Sequence, residues 1–229
     1  MLAVLSSQIS EEFSKKTNIP SLALAPYDAL DTPVASHADM LICKLQDTIF
    51  TYRDYYYNNV ELFSEIEKSY KVVKVEGCKR EYPNDIKLNV LVIGKRIFGK
   101  LDFLADEIVD FAMKNGYTLH NVKQGYSACS TLVINEKAAI TSDLGIYNSL
   151  IAEEINALLV TTESIILNGY NCGFIGGTGG VFGNVAYFFG DIKMHPDYIK
   201  INNFLKEHNC TVVPVLGGGV YDFGGIKFI

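Results

Sequence analysis

No two cysteines in this chain stand as Cys-x-x-Cys. The five, Cys43, Cys78, Cys129, Cys172 and Cys210, are odd in number and far apart, which argues against a zinc ribbon or a dithiol redox centre and fits reduced thiols in a cytoplasmic protein. Basic runs are missing as well. With a net charge of −6 and a pI near 5.2, the chain lacks the positive footprint that nucleic acid or an anionic membrane surface requires as a main partner. No apolar run approaches the roughly 20 residues of a membrane span. Residues 1–5 have no basic segment before them, so they do not read as a secretory signal. The glycine run at Gly176, Gly177, Gly179 and Gly180 lacks the Gly-x-x-x-x-Gly-Lys-Ser/Thr spacing and enters a strand instead of a helix, which excludes a nucleotide loop. A glycine-rich hairpin that lets backbones approach closely is the expectation there. Nothing in the sequence requires a cofactor or a metal ion.

What is present suffices for a sizeable core: 229 residues, 48% hydrophobic and 20% charged, read as one globular domain spanning residues 1–229. Residues 124–143 are the clearest local unit. Apolar and β-branched residues flank the turn-forming Asn135, Glu136 and Lys137, which predicts a hairpin. Cruder copies occur elsewhere. Hairpins are expected over 37–52, turning at Gln46 and Asp47, and over 88–98, turning at Gly94 and Lys95; a third copy turns in the glycine-rich segment 176–183. Helices are expected over 58–70, 101–114, 149–158 and 196–207, the second with Leu101, Leu104, Ile108, Phe111 and Ala112 on one face and Gly116 past its end.

Laid over one another, the units place Asp39, Asp85, Ser127, Asn171 and Asp222 at equivalent entrance positions, at separations of 46, 42, 44 and 51 residues. A period of that size signals a solenoid or a ring. The last unit ends where its hairpin should turn back. A closed ring could supply the missing strand from residues 22–25. The predicted fold class is therefore α/β, a five-fold pseudo-symmetric propeller of ββαβ-type repeats.

This layout resembles the pentein fold, also called the guanidino-group-modifying-enzyme fold. Gly176-Gly177 followed by Val181-Phe182-Gly183 is similar to a Gly-Gly-Asp-Val-Leu hairpin of its hydrolases, and Val213-Pro214-Val215 before Gly217-Gly218-Gly219 is similar to the approach to their C-terminal nucleophile. The set His37-Ala38-Asp39, Tyr82-Pro83-Asn84-Asp85, Gln124-Gly125-Tyr126-Ser127 and Tyr221-Asp222-Phe223-Gly224-Gly225 looks like a bacterial branch of that fold. The resemblance implies chemistry on a guanidinium carbon by a fifth-unit cysteine, with a mid-chain histidine and acidic residues gripping nitrogens. This chain departs from that pattern. Tyr221 or Asp222 stands where the cysteine would be, Cys210 lies before the last unit, and the middle units offer only His120.

The entrance residues of such a ring converge near its axis. Asp39, Asp85, Ser127, Asn171 and Asp222, with Tyr126 as an aromatic wall, would line an acidic pocket suited to a small cation; each could equally cap its own turn. His37 and Asp39 form a His-x-Asp pair expected on one strand face, an acid–base candidate beside the plainer reading of a loop histidine. Cys129, expected two residues along the same strand from Ser127, is the candidate nucleophile, against the plainer reading of a buried thiol. Three readings stay open. The first is a pentein-like protein that binds a guanidino- or amine-type ligand and has no cysteine hydrolase activity. The second is an active hydrolase or deiminase of amidine C–N bonds with a rearranged site. The third is an interaction scaffold comparable to the initiation factor six branch.

Overall fold

The structure, a computed structural model, describes residues 1–229. It contains six small sheets, five of them three-stranded and built to one pattern, an antiparallel pair whose central strand also pairs in parallel with a third; in four of the five the antiparallel pair is a hairpin. In the first, Cys43–Leu45 and Thr48–Tyr52 form the hairpin and Lys71–Val75 the third strand. Leu91–Ile93, Arg96–Gly99 and Thr118–Asn121 form the second. Thr131–Asn135, Ala138–Thr141 and Asn156–Leu159 form the third, and Gly179–Phe182, Val185–Phe188 and Thr211–Pro214 the fourth. The fifth joins the two ends of the chain: Ile226–Phe228 runs antiparallel to Ala3–Ser6, which is parallel to Ser21–Leu24. The strand paired directly with the C-terminal one is therefore Ala3–Ser6, and the segment expected in that place lies one strand further out. Val4 and Leu5 are fully buried, and the helix Ser10–Thr17 makes the crossover that a parallel pair needs.

The other crossovers are also helical: Arg53–Asn58 with Val60–Ile66, then Asp106–Lys114, Leu144–Ala152 and Tyr198–Glu207. Four of the crossovers leave their helix through one left-handed residue, Asn18, Gly116, Glu154 or Asn209, with φ of 57°, 70°, 57° and 57°. That conformation turns the chain back toward the sheet and is the usual way to end a helix. The helix expected at 149–158 begins earlier because Asp143 accepts a hydrogen bond from the Ile146 amide at 2.8 Å and caps it there; its expected second half is a strand. The helix expected over 101–114 breaks after a 3₁₀ turn at Leu101–Phe103.

Apolar side chains fill the space between each sheet and its helix and between neighbouring units. Phe50, Tyr52, Phe63, Ile97 and Ile108 belong to one cluster spanning the first two units. Ile140, Phe188 and Leu205 tie the third to the fourth, and Leu5, Phe13 and Phe189 fasten the N-terminal strand.

The segments that lead into the hairpins are turns, not strands. Ala38–Leu41 is a single helical turn, residues 127–130 a hydrogen-bonded turn, and Ile175–Thr178 a 3₁₀ turn. His37 thus stands just before the helical turn that carries Asp39, and the two do not share a strand face; Ser127 and Cys129 likewise lie in a turn. The equivalence of the entrance residues also changes. Asp39, Ser127 and Asp222 each stand four residues before the first strand of their hairpin, whereas Asp85 stands six before and Asn171 eight before.

Candidate functional site

Two of the five entrance segments bring three titratable side chains into one buried cluster. His37, Asp39 and Asp222 are 1%, 3% and 4% exposed. His37 precedes the helical turn that carries Asp39, and Asp222 follows the short strand Val220–Tyr221. The imidazole Nδ1 lies 4.0 Å from an Asp39 oxygen and 3.8 Å from an Asp222 oxygen, close enough for charge attraction but too long for good hydrogen bonds.

The two carboxylates differ in what surrounds them. Asp222 accepts the Phe174 amide at 2.8 Å on one oxygen and the Gly224 amide at 3.0 Å on the other. Glycines make room for it: a Cβ on Gly177 would overlap its carboxylate, and one on Gly224 would overlap the His37 ring. Gly224 also has φ of 79°, which disfavours a side chain on conformational grounds alone. Asp39, by contrast, has no hydrogen-bond donor on either carboxylate oxygen, and His37 Nε2 has no partner either. Burial pushes the Asp39 carboxyl up to about 6; the His37 imidazole opposes the rise, Asp222 adds to it, and the neighbouring Cys129 thiol and the Lys227 charge oppose it more weakly.

Cys129 adjoins the same cluster. Burial, then the charges of Asp39 and Asp222, hold its thiol well above its ordinary range, so it stays protonated where a nucleophile would need to be a thiolate. Its surroundings are fixed by Asn89, a fully buried residue. The Asn89 side-chain amide donates to the Cys129 sulfur at 2.9 Å and to the Asp39 carbonyl at 3.1 Å, while its oxygen accepts the Ala128 amide at 2.8 Å. Sequence reasoning missed Asn89. The signal was there in Leu88-Asn89-Val90-Leu91-Val92-Ile93, one amide inside an apolar run, which implies a buried polar contact.

Two cavities border the cluster. One, of about 190 Å³, is lined by His37, Cys129, Asp222, Tyr126, Tyr170 and Phe174 among others. The second, of about 640 Å³, has Asp39, Lys44 and Lys227 in its lining, with Glu136 and backbone at Gly224 and Gly225. Tyr170 is half exposed and donates to Asp31 at 2.7 Å, so it ties the wall of the smaller cavity to the loop before His37.

The remaining expected residues stand apart. Asn171 is exposed, because the slip of four residues in the alignment places it outside the convergent turn. The Ser127 hydroxyl is shared between the carbonyls of Asn89 and Phe98 at 3.0 and 2.9 Å and holds a turn together. Asp85 accepts the Tyr126 hydroxyl at 2.7 Å from behind the aromatic wall, and burial raises its carboxyl. His120 stacks on Phe98 at 4.7 Å and faces Glu153 at 3.4 Å. Cys210 packs in the apolar core. No group of three or more His, Cys, Asp or Glu side chains is arranged to hold a metal ion.

A model of a family described as a family of unknown function, DUF6873, matches residues 4–227. No curated protein sequence matches the chain. Among solved structures the fold is similar to agmatine deiminase of C. jejuni, with a TM-score of 0.57 at 12% identity over 93% of this chain and 86% of that one. The amidinotransferase SxtG of Microseira wollei gives 0.57 at 10% identity over 95% and 78%. A mutant dimethylarginine dimethylaminohydrolase of Pseudomonas aeruginosa, complexed with citrulline, gives 0.55 at 9% over 93% and 91%. The fold is thus the pentein fold, an α/β fold shared with guanidino-modifying hydrolases and transferases.

Proposed function

Since the chain belongs to the DUF6873 family, a family of unknown function, its role must be read from its own residues, and we propose that it binds a small guanidino- or amine-type cation at the His37, Asp39 and Asp222 cluster, without cysteine hydrolase activity. The five sheets are taken as a pseudo-fivefold propeller in a single domain, completed by the N-terminal strands, with this cluster at its axis. The setting is the cytoplasm, where five unpaired thiols persist. No helix is long and apolar enough to cross a membrane.

The observation that carries the reading is the Asp39 carboxylate, buried with both oxygens unpartnered. A buried carboxylate without donors costs several kcal/mol, and a ligand N–H⁺ group would remove that cost. On the other side of the cluster, Tyr126, Tyr170 and Phe174 line the smaller cavity with His37 and Asp222 and offer π faces to a planar or compact cation there. The protonated state of Cys129 supports the absence of hydrolase chemistry, as does the lack of a cysteine in the last unit, where Tyr221 or Asp222 is taken to stand in the nucleophile's place. Calorimetry with agmatine and methylguanidine tests this: the expected result is binding that Asp39→Asn abolishes, and equal affinity in the variant would overturn it.

One observation favours a second reading, hydrolysis of an amidine C–N bond: Cys172, half exposed, lines the same cavity as His37. Release of ammonia or amine from agmatine that Cys172→Ser eliminates would establish it.

A further inference from the structure

The larger cavity holds a feature that a simple cation site does not use. Lys227 lies on the last strand, Ile226–Phe228, in the wall of the 640 Å³ space that also reaches Asp39. It is half buried and enters none of the molecule's ion pairs. Lys44 is in the same wall, but its ammonium is occupied: it donates to the Phe228 carbonyl at 2.9 Å and sits over the Tyr70 ring at 5.0 Å. Glu136, the other acid of the wall, is exposed. The cavity therefore presents one unpartnered buried carboxylate and one uncommitted ammonium that do not meet.

From this geometry we infer that the larger cavity is a site for a small zwitterionic amino-carboxylate, its ammonium received by Asp39 and its carboxylate by Lys227. Such a ligand satisfies two opposite charges that lie too far apart to bond directly, and each bond is charge-assisted. A bare amine leaves Lys227 unused, and a bare carboxylate is repelled by Asp39. At Gly224 and Gly225 the wall is bare backbone. The inference shares with the reading above only the role of Asp39 as receiver of a cation.

Thermal unfolding of the intact protein with glycine, β-alanine, 4-aminobutyrate, methylamine or acetate tests it. At least one amino-carboxylate is expected to raise Tm by about 5 °C or more when present at about 100 times its Kd, with methylamine giving less and acetate nothing. Lys227→Met, which keeps the apolar stem, should remove the extra stabilisation by the amino-carboxylate while leaving the methylamine effect, and Lys227→Arg should restore it. The inference is overturned if no amino-carboxylate raises Tm, or if Lys227→Met responds to it as the wild type does. Failure of the cation reading looks different: agmatine and methylguanidine would not bind, while a Lys227-dependent response to an amino-carboxylate persisted.

Discussion

Two carboxylates face one imidazole in this molecule, and the regions that carry them are built differently. Asp222 lies in a glycine-lined loop where two backbone amides meet its oxygens; Asp39 lies on a helical turn with no donor on either oxygen. The first is part of the framework, since its charge is met by fixed dipoles whether or not a ligand is present. The second is a buried carboxylate with no hydrogen-bond partner on either oxygen, and such groups in native structures call for a specific explanation. The contrast separates what holds the centre together from what is available for binding.

The largest predicted effect breaks the framework half. Gly177→Ala places a Cβ in the volume of the Asp222 carboxylate, and urea unfolding should show a loss of about 3 kcal/mol or more. Asp222→Asn comes next. It sets an amide donor against one of two backbone donors, with an expected loss of about 2 kcal/mol by the same measurement. Asp39→Asn should act in the other direction and sharpen the contrast, raising the stability of the ligand-free protein by about 2 kcal/mol at pH 8.

The sign follows from the raised carboxyl. Between about pH 4 and 6 the folded chain keeps on Asp39 a proton that the unfolded chain has released, so wild-type stability falls as pH rises through that window. Asp39→Asn removes that part of the dependence. Tyr170→Phe is the smallest change: losing a hydrogen bond to Asp31 at a half-exposed site should cost about 0.5 kcal/mol and leave cation affinity within about twofold.

How much of this was legible beforehand depends on the kind of signal. Hairpins such as 91–99 and 131–141 are written in alternation and turn residues, so both their existence and their repetition can be read. The entrance segments cannot be read in that way. Their backbones are held by distant side chains, as when Asn89 accepts the Ala128 amide 39 residues away; an amide inside an apolar run marks Asn89 as a buried polar contact, but local pattern does not say which turn it holds. Equating Asp85 and Asn171 with the other entrance residues failed for a related reason. Insertions of two and four residues before the second and fourth hairpins shift the register, and without a periodic pattern in the turns nothing marks the shift. Asp39 and Asp222 are legible as repeat-equivalent entrance positions and His37 as the partner of Asp39 in a His-x-Asp pair. That one carboxylate is satisfied and the other is not depends on three-dimensional placement of the Phe174 and Gly224 amides, which spacing does not encode.

The pH at which Asp39 ionises, with and without a bound cation, tests the account most directly. A carboxyl ¹³C NMR titration, with the resonance assigned by its loss in Asp39→Asn, should show a midpoint near 6 in the free protein and a fall on saturation with agmatine, because a bound cation favours the charged form. A midpoint near 4 in the free protein, or one that agmatine does not move, would contradict it.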